Sequence, residues 1–145
     1  MHFTAAVSTL FAASALAAPA QPRAETKSMM AAAEWTIESL KRTCDSGDTL
    51  CSWEFGINTG AVTACSFSVS GSPASHTDLV SAATCGDFSV TTGWSDQFGA
   101  DNGFTTLAVV DNVNRLIVYP AYTDKQLVNG VVVVPNQSYT PQALP

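Results

Sequence analysis

Four cysteines, Cys44, Cys51, Cys65 and Cys85, constrain this chain more than any other residues in it, because each bridge that closes holds two segments side by side. In an oxidising compartment an even count reads as two disulfides. Three pairings are open, and Cys44–Cys51 with Cys65–Cys85 is the favoured one, since CDSGDTLC is a polar, glycine-containing loop able to close on itself. Loop closure of those two lengths contributes about 2.5 and 3.3 kcal/mol, a large share of the roughly 5–15 kcal/mol that holds a domain together. A zinc site of four cysteines is the rival reading. It lacks a C-x-x-C knuckle, so no metal ligand is assigned and no cofactor is expected.

The compartment is read from the N-terminus. Phe3–Ala18 is apolar and rich in small residues, and Pro19, Pro22 and Arg23 follow it. Residues 1–20 therefore read as a secretory signal peptide with an A-x-A-like exit, and the expected address is extracellular. Residues 21–33 form a polar, alanine-rich lead-in or propeptide, and residues 34–145 a single β domain. No later apolar run is long enough to span a bilayer.

Alternation then gives the strands. Trp35 and Ile37 alternate with Glu34, Thr36 and Glu38. Cys51, Trp53, Phe55 and Ile57 share one face, while Ser52, Glu54, Gly56 and Asn58 take the other. After the turn signal Asn58-Thr59-Gly60, Thr63, Cys65, Phe67 and Val69 continue the pattern. Phe88–Thr92 is a further short strand. Phe104–Val110 and Arg115–Tyr119, split by Asp111-Asn112-Val113-Asn114, make a hairpin apolar on both faces, which calls for a central place covered by other strands. Thr123 and Gln126 have capping-box spacing with Gly130 at the exit, predicting one or two helical turns. Val131–Val134 reads as a short strand and Pro135–Pro145 as an extended tail. The expected fold is all-β: a small antiparallel barrel or sandwich of about seven to eight strands with at most one short helix.

Composition narrows the partners. The net charge is −6, and only Lys27, Lys41, Arg42, Arg115 and Lys125 follow Arg23. Without clustered cations, nucleic acid and anionic lipid are disfavoured. A monomer is the expected state.

Candidate chemistry is thin. His76 is the single histidine beyond the leader, which excludes a paired-histidine ribonuclease mechanism. A triad drawn from His76, Asp78 and a serine places neighbours in one flexible loop, so His76 reads as a solvated loop residue. Glu38, Glu54, Asp87 and Asp96 offer carboxylate pairs, but no spacing singles one out. Asp96, Asp101 and Asn102 read as turn residues rather than calcium ligands. Trp53, Trp94, Tyr119 and Tyr122 are candidates for a sugar-stacking platform, with Trp53 assigned to the core and Trp94, in the long Gly93–Gly103 connection, the best exposed of them. Asn136-Gln137-Ser138 is an N-glycosylation sequon.

The segments WTIESLKRTCDSGDTLCSWEFGINTG and GWSDQFGADNGFTTLAVVDNVNRLIVYPAYTDKQL, with the closing NQSYTPQALP, resemble a family of small secreted proteins of filamentous fungi. That family includes hypersensitive-response-inducing elicitors such as those of the rice-blast fungus. The resemblance runs from Glu34 to Pro145, takes in all four cysteines and leaves out Gln21–Ala33. It implies a β-barrel-like effector, with the fold of the secreted mould allergens as a broader neighbour. Such a protein is recognised by plants through a surface receptor or wall component, and triggers defence and localised cell death. The resemblance supplies no catalytic residues, and the expected protein is not an enzyme. The alternatives are a carbohydrate-binding or wall-associated module, and a small protease inhibitor presenting Gly71–Asp78 or Gly93–Gly103. The candidate recognition loop is Gly93–Gly103, with Trp94, Asp96, Gln97, Asp101 and Asn102, since long loops on rigid β scaffolds commonly carry function.

Overall fold

Two antiparallel sheets face each other across a core of aliphatic and aromatic side chains. They are described in a computed structural model that covers residues 33–145. The expected signal peptide at 1–20, and all of the expected 21–33 lead-in but Ala33, lie outside the described residues. The first sheet has the order β3-β2-β1-β9, from strands β1 (Trp35–Cys44), β2 (Leu50–Asn58), β3 (Val62–Ser70) and β9 (Gln137–Tyr139). The second runs β10-β7-β6-β5-β4, from β4 (Leu79–Cys85), β5 (Phe88–Ser95), β6 (Phe104–Asp111), β7 (Leu116–Val118) and β10 (Gln142–Ala143), and β8 (Ala121–Thr123) also pairs with β6. The sheets do not close on each other, so the architecture is a sandwich and not a barrel. The ten strands exceed the expected seven or eight because four have three residues or fewer. Among the described residues only two single 3-10 turns are helical.

The clearest alternation in the sequence builds the core as expected. Cys51, Trp53, Phe55 and Ile57 are buried, and the last three share one core cluster with Phe88, Val90, Leu107 and Val109 of the second sheet. Each such side chain contributes roughly 1.5–3 kcal/mol by leaving water. Both disulfides have the favoured pairing. Cys44 and Cys51 are partners in the β1–β2 ladder, while Cys65 on β3 reaches Cys85 on β4 and ties one sheet to the other.

Strand β1 runs six residues beyond the alternation that ends at Glu38, because a bulge rescues its pattern. Glu38 pairs with Gly56 and Lys41 with Glu54, so Ser39 and Leu40 together oppose Phe55. Ser39 takes a positive φ of 52°, and the extra residue re-aims Leu40 and Arg42 inward.

Three expectations are corrected at the C-terminal half. The apolar hairpin does hold a central position, with β6 flanked by β5 on one side and by β7 and β8 on the other. Only one of its faces is covered, however. Thr105, Leu107 and Val109 are buried, while Phe104, Thr106, Ala108 and Val110 look partly outward. Its return strand is broken at Pro120, whose carbonyl accepts from Leu107 N at 2.7 Å. The capping box does form, with Thr123 N donating to Gln126 Oε1 at 2.9 Å and Gln126 N to Thr123 Oγ1 at 3.2 Å. No helix grows from it, because Leu127 is drawn into the core and the chain then turns onto β1, which leaves too few residues to repay nucleation. Val131–Val134 is not a strand either. Residues 129–139 run along the outer edge of β1, bonding at Cys44, Arg42 and Leu40, and the bulge prevents a regular ladder until β9. Leu79–Cys85, to which the sequence pattern assigns no element, is the edge strand β4.

Asp111 closes the β6–β7 turn. Burial pushes its carboxyl up, but hydrogen bonds from Asn114 and Val113 outweigh this and hold it below its ordinary value. A depressed folded-state value means that this stability is complete above the unfolded value and is lost as pH falls through the folded one. Acidification below about pH 4 is therefore expected to lower the urea midpoint, and Asp111→Asn to show a smaller drop over the same interval. An unchanged pH slope in that variant would count against this role.

Candidate functional site

The long connection after β5 is shorter and better built than its sequence suggests. Gly93, Trp94 and Ser95 belong to β5, leaving residues 96–103 as the loop. Inside it Gly99 N donates to the Asp96 carbonyl at 2.8 Å, Asn102 N to the Gly99 carbonyl at 3.0 Å, and Asn102 Nδ2 to the Phe98 carbonyl at 3.1 Å. Gln97 N donates to Ser95 Oγ at 3.2 Å. These bonds fix the loop without a partner, the condition under which binding loses least to ordering.

Its base is pinned by a cluster drawn from four distant segments. Trp94 Nε1 donates to Asp124 Oδ2 at 3.1 Å, and the Trp94 ring stacks on His76 with centroids 3.9 Å apart and planes 10° from parallel. His76 Nε2 lies 3.5 Å from the same Asp124 oxygen. Arg42, at 7% exposure, approaches Asp124 Oδ1 to 4.0 Å, donates to the Ser75 carbonyl at 3.3 Å and lies 5.6 Å over the Trp53 ring. Burial lowers its guanidinium from the ordinary value, against Asp124 and Asp48, which raise it. Gly103 closes the arrangement. Its carbonyl accepts from Asp124 N at 2.9 Å, and a Cβ there would stand 2.5 Å from Asp124 Oδ2 and 2.8 Å from Trp94 Cζ2. Only glycine leaves room for the Trp94–Asp124 bond.

Above this base the loop presents Phe98. Its side chain is 68% exposed and stacks offset on Phe104 of β6, with centroids 5.8 Å apart. Phe98, Asn102, Phe104, Ala121, Tyr122 and Thr123 line a groove of about 400 Å³ that carries no charged side chain. Asp96, Gln97 and Asp101 are exposed on the same loop.

The structure thus reassigns several sequence candidates. Trp94 is a half-buried strand residue, one of whose ring faces is covered by His76, not a free platform in a glycine-rich loop. His76 is a stacked partner of Trp94 and not simply solvated. Asp78, whose triad role the sequence reading already sets aside, accepts from Trp94 N at 2.8 Å, and among the described residues no hydroxyl hydrogen-bonds His76. Ser75 Oγ is committed to Asp48. Trp53 is core, as expected, and Tyr122 is core too, whereas Tyr119 is exposed. Glu38 hydrogen-bonds Asn58 and Glu54 pairs with Lys41 on the first sheet, while Asp87 and Asp96 lie in separate turns. Asn102 serves its own loop. Asn136 is exposed, and its Oδ1 accepts from Ser39 N at 2.9 Å. Sequence reading missed Phe98, Phe104, Arg42 and Asp124. A lone phenylalanine between polar turn residues, in a loop too short to bury it, was the one available signal.

The family model described as Effector TSP1 matches residues 36–144, from the second residue of β1 through β10, with all four cysteines inside. A relative from Hypocrea virens, described as Effector TSP1, is 51% identical over 142 residues, covering 96% of this chain and 95% of its own length.

Proposed function

The chain belongs to the Effector TSP1 family of fungal effectors, and we propose on that premise that it is secreted, is recognised by plants, and triggers defence responses and localised cell death. The proposed action is binding rather than catalysis. A plant surface receptor or wall component is the proposed partner, and the 96–103 loop with its adjoining groove is the proposed contact surface. One observation carries the surface assignment: Phe98 is held out into solvent on a loop that needs no partner to order it. Exposed aromatics on preformed loops are the kind of anchor that dominates interfaces.

Leaf infiltration with the oxidised protein, beside a reduced and heated control, tests this reading. The folded form is expected to produce local cell death and Phe98→Ala to produce much less. A variant as active as the parent would move recognition to another surface, and silence of the parent across several plant species would remove the elicitor reading.

A wall-binding role is the second reading, favoured by the uncharged groove with its paired rings and the Asn102 side chain at its rim. Pull-down on insoluble chitin or glucan separates the two, with loss on Phe98→Ala supporting wall binding. The inhibitor reading is weakened at Gly71–Asp78. That segment is folded onto the body by Ser75 bonds to Asp48 and the 3-10 turn Ala74–His76, and is not an extended loop.

A further inference from the structure

We propose that Asn136 carries an N-linked glycan, rooted so that it covers an apolar ridge next to it. The inference rests on the reading that the chain is secreted, because glycan transfer takes place on that route. Asn136-Gln137-Ser138 has the required spacing with no proline in the middle. The geometry adds what spacing cannot. Asn136 is exposed, just after the cis Val134–Pro135 peptide and just before β9. Its Oδ1 is engaged by Ser39 N, whereas Nδ2 donates to no group among the described residues. Transfer uses that nitrogen. The Nδ2–C1 bond forms at the anomeric carbon of a polyprenyl-diphosphate oligosaccharide. The C1–O bond to the diphosphate breaks, the lipid diphosphate leaves with the electron pair, and one amide proton is released. Oδ1 is untouched, so the bond that caps the β1 bulge survives modification.

A second observation says what the glycan would do. Val128, Val131, Val132 and Val134 all face solvent, Val134 at 79% exposure, and only Val133 turns into the core. A run of bare valines beside a weakly charged surface is an association hazard. A neutral oligosaccharide attached two residues from Val134 would screen it.

The full chain is produced in a yeast secretion host, both with its own N-terminus and behind the host's leader, and its intact mass is read before and after peptide N-glycosidase F. The expected result is secreted protein heavier than the polypeptide by one glycan, with that mass removed by the enzyme and Asn136 converted to aspartate in the peptide map. Ser138→Ala removes the sequon while keeping the Asn136–Ser39 bond, and is expected at bare mass with increased binding of an apolar dye. Ser138→Thr is expected to keep the glycan. Bare mass in the medium from both forms of the parent overturns the proposal. Retention of the natural form in the cell, with glycan on the leader-fused form, leaves the glycan site standing and removes the secretion premise instead.

Discussion

Replacing Cys65 and Cys85 together with alanine is expected to lower the free energy of unfolding by about 3 kcal/mol. Their bridge spans a sequence separation of 20 and joins β3, the free edge of the first sheet, to β4, the free edge of the second. Nothing else in the ladder pattern pairs those two edges, so its loss frees the whole connection through the 3-10 turn Ala74–His76 in the unfolded chain and loosens one side of the sandwich in the folded one. Both half-cystines are buried, which adds a small packing defect. Cys44–Cys51 closes a much shorter loop, and its two residues are already partners at the end of the β1–β2 ladder. Its removal is expected to matter less. Urea unfolding of both double variants checks the order. A Cys65/Cys85 variant within about 1 kcal/mol of the parent would show that the sheets are held together by the core alone.

The sandwich was largely legible because its strongest signals are local. Alternation over Cys51–Ile57 and Thr63–Val69 survives in the structure as consecutive strands of one hairpin, and the short polar Cys44–Cys51 loop allowed its own pairing to be chosen. Elements fixed by distant partners were not legible. β4 carries the small residues of LVSAATC and is recognisable as a strand only once β5 lies beside it. The 123–127 segment has the sequence of a helix start, yet tertiary contacts of Leu127, Asn129 and Gly130 end it after one turn. The site suffers most from this limit. Arg42, His76, Trp94 and Asp124 come from four separate segments, so no spacing rule connects them. Trp94 reads as the best exposed aromatic because it lies in the glycine-rich Gly93–Gly103 connection. In the structure the nearby Gly103 has the opposite effect, since its missing side chain is what lets Asp124 reach the indole.

Trp53, which the sequence assigns to the core, and Phe98, which it does not single out, separate fold from function. Trp53 is 3% exposed, stacks on Phe67 with centroids 6.0 Å apart, and lies beneath the Arg42 guanidinium. Trp53→Ala is expected to cost about 3–5 kcal/mol, since the cavity sits in a core that cannot fully collapse around it. Part of that loss, about 1–2 kcal/mol, is the desolvated cation–π contact, and with it goes the support of the buried cation that faces Asp124. Its effect should therefore spread to the loop base, with the Trp94 fluorescence changing in the still-folded fraction. Phe98→Ala should shift stability by no more than about 0.5 kcal/mol, because its ring is mostly in water, while strongly reducing the proposed plant response. A loss of less than about 1.5 kcal/mol for Trp53→Ala would mean that the packing around Arg42 is looser than the structure shows. If instead Trp53→Ala destabilises as expected and Phe98→Ala retains full plant response, the core assignment stands and the recognition surface moves off the loop. The pair thus tests fold and function with two side chains of the same chemical class.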